Sequence, residues 1–401
     1  MAKNRSPTSI LIVTTVSHIM QHVYVGSSIL LPMIFEDLKL NYSEFGLAIA
    51  VSSLLGGLFQ VVFGIASRRI ARHILLGLGN IMLSTGTFLT GLSRGLIDFL
   101  CARLLSNIGV APQHPMGTAI ISEAFDEKSR GKAIGFHYGV AYIGNIIGPV
   151  IMTILSITFG WRSTLCFFSI PIFIVGLMII WYLSASEEKG NRSGKGEESE
   201  KTRLAGDVIL LMKTRGIILV LTAQALNSGG IDLGILTTYI PIFLANFLEM
   251  DAYERGIVYT IGLLGGVIGP VLMGNYASRI GYIRTSAISA LLASLLTYIL
   301  TSHSVGAASI IVALHLFALM FLSFSLPTLM QSYMASITSG YNRDLAVGIY
   351  FTMNSISSSL WIWIIGQLID IYSSFKPVLI FMSSLGLISS TILISQFKKK
   401  I

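Results

Sequence analysis

Residues 184–203 read SASEEKGNRSGKGEESEKTR, and this stretch decides how the rest of the chain is organised. Gly, Ser and charges of both signs, with no aromatic or large apolar side chain, mark a solvated linker that cannot bury a core. On either side the text is apolar almost throughout. Six blocks precede it, near residues 10–35, 46–67, 73–92, 95–121, 132–159 and 163–183, and six follow, near 216–247, 256–278, 285–302, 307–332, 345–371 and 375–396. Each is about the length a helix needs to cross the hydrocarbon of a bilayer. The expected fold is therefore all-α and membrane-embedded, with twelve transmembrane helices in two six-helix bundles. The expected division is an N-terminal bundle over 1–186, a cytoplasmic linker over 187–205 and a C-terminal bundle over 206–401. Leu204 to Met212 has apolar residues at helical spacing and is expected to lie along the membrane surface.

Composition agrees with that reading. Of 401 residues, 53% are hydrophobic and 11% charged, too little charge to clothe a soluble globule of this size. The blocks are continuous rather than alternating, which excludes a porin-type barrel. Cys101 and Cys166 both fall inside apolar blocks and offer neither a disulfide framework nor metal-ligand spacing. The block after Lys3 and Arg5 is too long and too polar for a signal peptide, since it holds His18, Gln21 and His22, and is read as a retained first helix.

The formal charge of +8 acquires its meaning from the loops. With the N-terminus inside, 21 of the 27 Lys and Arg residues fall on cytoplasmic segments, five fall outside, and Arg103 lies within a span. Anionic lipid and the membrane potential hold cationic loops on the cytoplasmic side, so both termini are expected there, in the cell membrane. This accounts for the basic balance without a nucleic-acid partner.

The two halves repeat. Gly64, Arg69 and Ile70 recur as Gly274, Arg279 and Ile280 at a shift of 210, and at a shift of 209 Pro32 recurs as Pro241 while His18 aligns with Asn227. Parallel repeats of this kind build one large class of secondary transporter. GIASRRIAR at 64–72 and GNYASRIGYIR at 274–284 resemble the repeated loop signature of the major facilitator superfamily. Arg68 and Ser278 stand where that signature usually has Asp, so the resemblance leaves the acidic partner of Arg69, Arg72, Arg279 and Arg284 to come from elsewhere, Glu123 or Asp126. RLLSNIG at 103–109 is similar to the family's fourth-helix arginine motif, and GNIIGPV at 144–150 to the fifth-helix Gly-Pro motif frequent in exporters. Three patches, SHIMQHVYVGSSILLPMI, NIGVAPQHP and SRGKAIGF, further resemble the fosmidomycin-resistance branch, although His22 occupies the place of that branch's Asp.

Ionisable groups inside hydrocarbon usually face a cavity or a partner, because each costs roughly 3 kcal/mol to insert. Arg103 lies eight residues into the fourth span and Asp232 sixteen into the seventh. Opposite signs in opposite halves suggest a central site where Arg103 attracts an anionic or polar group and Asp232 accepts a proton or holds a cation. The alternative is a fixed ion pair, or local hydrogen bonds that lock helices. His18 and His22, four apart on one face, suit a proton relay, and they suit an interhelical hydrogen bond equally. Asn227 and Asp232 fall on the corresponding part of the seventh span. Pro112 and Pro115 bracket His114, whose depth matches that of His137, so contact between those two rings is expected. His315 has no partner legible from the text. Gly144, Gly148 and Pro149, like Gly265, Gly266, Gly269 and Pro270, put small residues where helices pack and rock.

No GxxxxGK[ST] loop supports ATP coupling and no nucleophile elbow supports an enzyme; no cofactor and no metal are expected. The function expected is secondary active transport of a small molecule by alternating access, driven by protons and directed towards export of a small organic or drug-like compound. Uptake of an organic anion is the alternative, and from another class a non-transporting receptor, which would need a cytoplasmic signalling domain. The architecture can work as a monomer in the lipid bilayer.

Overall fold

The computed structural model describes residues 5–184, 210–338 and 341–395. The expected linker 187–205 and most of the expected surface stretch 204–212 lie outside the described residues. All twelve apolar blocks are helical. Span one runs through α1 (Pro7–Gly26), a 3-10 turn (Ser27–Leu30) and α2 (Leu31–Asp37). Spans two and three are α3 (Tyr42–Ala66) and α4 (Arg72–Leu92). Span four is split into α5 (Leu96–Val110) and α6 (Gln113–Ala124), with the break at Pro112, which donates no backbone hydrogen bond. Span five begins in α7 (Glu127–Ala141) and continues into α8 (Ile143–Leu183), which turns a corner at Gly160 (φ 77, ψ 159) before becoming span six.

Span seven departs from expectation. It is not one helix over 216–247 but α9 (Arg215–Gly230), a break at Ile231 and Asp232, then α10 (Leu233–Ile242) ending in a π turn (Phe243–Phe247). The remaining spans are α11 (Ala252–Ile280), α12 (Tyr282–Ile299), α13 (Ser309–Ser323) with α14 (Ser325–Ile337), α15 (Tyr341–Tyr372) and α16 (Phe375–Ile394).

The described residues fall into two compact units, Met1–Arg192 and Ser193–Ile401. Their internal packing repeats. In the first, α1 packs on the start of α8, α3 on α5, and α4 on the end of α8; in the second, α9 packs on α15, α11 on α13, and α12 on α16. Span one thus meets five as seven meets eleven, two meets four as eight meets ten, and three meets six as nine meets twelve. Residues with little space for a side chain bring these pairs together. An added Cβ at Gly144 would lie 2.6 Å from His22 Cβ, one at Gly148 2.9 Å from the Val23 carbonyl, and one at Gly26 2.6 Å from Pro149 Cδ. Close backbone approach of this kind replaces the hydrophobic effect, which lipid cannot supply between helices.

Local chemistry fixes the helix ends. Asn41 and Glu44 form a reciprocal capping box on α3. Asp126 caps α7 by accepting from the Ser129 hydroxyl and backbone N–H, and those bonds hold its carboxyl below the usual carboxylate range. At the far end of the first unit Arg162 donates to Asp37 at 2.8 and 3.0 Å and to the carbonyls of Gly91 and Ser93, fastening spans one, three and six. The group is partly exposed, so its loss should be modest. Arg162→Ala is expected to lower stability by about 1–2 kcal/mol, read as a small fall in the thermal midpoint in detergent, and Arg162→Lys should restore only part, since an ammonium cannot reach all three acceptors.

Candidate functional site

In the first unit, helix α1 brings its polar face against α4, α6, α7 and α8. Ser17 donates to Gln113 Oε1 at 2.6 Å and accepts from Asn80 Nδ2 at 2.9 Å, which ties spans one, three and four at the level of the site. At the next residue, three imidazole rings gather around His18. Centroid distances from it are 4.8 Å to His22, 5.1 Å to His114 and 4.6 Å to His137. His114 and His137, expected to approach one another at similar depth, both meet His18: His137 hydrogen-bonds it, with Nε2 3.0 Å from His18 Nδ1, while His114 meets it edge-on. His137 Nδ1 lies 3.1 Å from the Thr15 hydroxyl. His22 Nδ1 donates to Asn145 Oδ1 at 2.9 Å, and Tyr138 pairs with Thr118.

The rings differ in access. His114 is exposed and His22 half-buried, whereas His18 and His137 are each 1% exposed. Buried His18 Nε2 has no hydrogen-bond partner among the described residues. Such an atom is costly in a dry interior and marks a place where a proton, water or solute group can bind. Further along α1, Arg103 stands 5.4 Å from the Tyr24 ring centroid, and both line a small cavity with Ser27, Thr87 and Thr90. Arg103 Nε and the buried Tyr24 hydroxyl are unpartnered there.

In the second unit the break in span seven builds a polar knot. Asp232 is extended and caps α10, its Oδ2 accepting from the Gly234 N–H at 3.3 Å. Asp232 Oδ1 accepts from Gln224 Nε2 at 3.0 Å, Gln224 Nε2 also donates to Asn354 Oδ1 at 2.7 Å, and Tyr350 donates to Gln224 Oε1 at 2.7 Å. Asn227, on α9 as expected, is 1% exposed and has neither side-chain atom hydrogen-bonded. Asp232 was expected inside a continuous helix; the Gly229–Gly230 pair ends α9, and the carboxylate starts the next.

Of the loop residues, Arg72 forms an ion pair with Glu123, one of the two acids expected to complete the basic signature. Gly64 and Gly274 sit inside α3 and α11, where an added Cβ meets nothing within 4 Å, so neither is needed for close packing. Arg69 lies in the turn before α4, Arg279 in the last turn of α11 and Arg284 at the start of α12. Gly269 meets the Phe321 carbonyl, with Pro270 one residue on inside α11. His315 proves to have a partner, His303, 2.7 Å away. Sequence reasoning missed His137 as the partner of His18, and it missed Gln224, Tyr350, Asn354 and Tyr24. Among the described residues no group of three or more His, Cys, Asp or Glu is arranged to hold a metal ion.

Twelve apolar helices in two repeating units, with ionisable side chains buried within them, define a membrane transporter. The family profile of the Major Facilitator Superfamily matches residues 11–362 and 230–399, and the chain belongs to that superfamily. It is 26% identical over 251 residues to a probable L-galactonate transporter of Escherichia coli, covering 60% of this chain and 54% of that protein, so it spans about half that relative's length. It is 24% identical to multidrug resistance protein 1 of Bacillus subtilis, covering 85% and 84% of the two chains. The crystal structure of a mutant of the nucleoside transporter NupG shares the fold, with a TM-score of 0.81 at 12% identity over 97% of this chain and 100% of that one. The match is to the superfamily; the fosmidomycin-resistance branch stays a resemblance.

Proposed function

We propose that the chain is a proton-coupled secondary transporter that moves a small organic solute by alternating access. It would lie in the cell membrane with both termini and the 187–205 linker cytoplasmic, as the excess of Lys and Arg on those segments favours. One observation carries the coupling: a hydrogen-bonded chain, Thr15, His137 and His18, lies in the buried interior and is met edge-on at His18 by His114, an exposed residue. Imidazoles change charge near neutral pH, and this chain gives a proton a defined set of atoms to occupy. Asp232, capping a broken helix, supplies a second titratable site, a carboxylate whose protonation would alter a helix terminus directly.

Export is the favoured direction, supported by GNIIGPV and by the long match to a multidrug resistance protein. Uptake of an organic anion is the second reading. It is favoured by the unpartnered Arg103 Nε and Tyr24 hydroxyl in one cavity, and by the likeness to a protein named for L-galactonate, a carboxylate.

A thermal-shift screen of purified protein against organic anions, phosphonates and drugs at two pH values should identify a stabilising ligand. That ligand is then followed in reconstituted vesicles under an imposed pH gradient. Gradient-driven flux is expected; flux indifferent to the gradient would exclude the coupling. If the solute is an anion, Arg103→Ala should raise its KM about tenfold or more while leaving the pH dependence in place.

A further inference from the structure

The four-histidine cluster is asymmetric in a way that identifies where a proton comes to rest. We infer that His137 is the residue that holds the proton in the first unit, and that His18 only loads it. The inference rests on the proton-coupled reading above and deepens it.

In one neutral arrangement His18 Nδ1–H donates to His137 Nε2, His137 Nδ1–H donates to Thr15 Oγ1, and His18 Nε2 is a bare lone pair. A proton arriving from the exposed side, past His114 and His22, binds His18 Nε2. The proton on His18 Nδ1 then crosses the hydrogen bond to His137 Nε2, the two nitrogens standing 3.0 Å apart. His18 is left neutral, with its proton on Nε2, and the charge sits on His137.

The two possible charged states are not equivalent. An imidazolium at His137 donates both its N–H groups, one to His18 Nδ1 and one to Thr15 Oγ1. With the charge on His18 the unpartnered Nε2–H would belong to the cation, whereas with the charge on His137 that N–H belongs to a neutral ring. Charged donors lose most when left unpaired, so the proton stays on His137. The groups facing His137 are His18 and His22 from α1, His114 from α6 and Tyr138 beside it on α7. From α8 comes the Asn145 amide, which holds His22, and from the junction of α7 and α8 comes Tyr142, whose ring lies tilted against His22. With other imidazoles about 5 Å away, a second proton binds about a hundredfold more weakly, and the cluster holds one at a time.

The test counts protons taken up by purified protein between about pH 8 and about pH 3, and reads the count as the difference between each variant and the wild type, since carboxylates titrate in the same range. His137→Gln should take up one fewer than the wild type and lose gradient-driven flux. His18→Gln should keep the count and slow the flux. Thr15→Val should move the midpoint of that proton about one pH unit lower, and Thr15→Ser should restore it. Loss of the proton in His18→Gln together with its retention in His137→Gln would overturn the inference. Should the variants fail to fold, nitrogen-15 NMR of histidine-labelled wild type decides: a doubly protonated His137 beside a neutral His18 supports it, and the reverse pattern refutes it. Wild-type flux indifferent to a pH gradient with the proton count intact would defeat the coupling and leave the storage assignment standing. Gradient-driven flux unchanged in His137→Gln would do the opposite.

Discussion

Asp232→Ala is expected to damage both the fold and the activity, whereas Asp232→Asn should damage only the activity. The carboxylate caps α10 and accepts from Gln224 in a dry interior. Alanine removes the cap, worth about 1 kcal/mol, and strips one acceptor from a buried amide, worth about 1–3 kcal/mol more. Asparagine keeps an oxygen able to cap the helix but can neither take up nor release a proton. The Ala variant should therefore show a clearly lowered thermal midpoint in detergent, while the Asn variant stays near wild type. Both should lose gradient-driven flux by at least about tenfold, the cost of removing one of few titrating groups. Full gradient-driven flux in a well-folded Asp232→Asn protein would remove this carboxylate from the coupling and leave it a helix cap.

The second large effect concerns α11. An added Cβ at Gly265 would stand 2.1 Å from the Phe317 carbonyl oxygen, and one at Gly269 2.1 Å from that of Phe321. These are backbone atoms of α13, which cannot rotate aside as a side chain can. In an exposed helix, replacing Gly with Ala gains about 1 kcal/mol of helix propensity. Here the sign should invert. Gly265→Ala and Gly269→Ala should each destabilise by about 1–3 kcal/mol or more, as overpacking does, and the double variant should give little folded protein by size-exclusion chromatography. Gly274→Ala, on the same helix with open space around it, is the control and should be neutral or mildly stabilising. Equal behaviour at all three positions would show that the close approach carries no energetic weight.

The spans and the repeat were legible because they rest on hydropathy and on identical residues at a constant shift, both properties of the chain alone. Glu123 was legible as one of two acids near the basic loop, and the structure chooses it over Asp126 because Asp126 is occupied in capping α7. The break in span seven was hidden, since the apolar residues on both sides of NSGGIDLG keep the hydropathy of the whole block high and outweigh its punctuation. Two glycines followed by an Asp are nevertheless a helix end and a helix start, and that reading was available. The His18–His137 bond lay beyond reach for another reason: it joins residues 119 positions apart, and depth along a helix does not say which face a side chain occupies. His303 escaped notice because it belongs to a connection, outside the block in which a partner for His315 was sought.

Gly160 has a practical bearing on how the topology can be tested. Spans five and six meet at that single left-handed residue, and two residues on Arg162 is bolted to the ends of two neighbouring spans, one and three. An inserted epitope or protease site there would unfasten the bundle instead of decorating it, and a negative result would be misread as inaccessibility. Chemical labelling through single-residue replacements on the exposed flank, at Phe159 for instance, leaves the corner intact and reports which side of the membrane it faces.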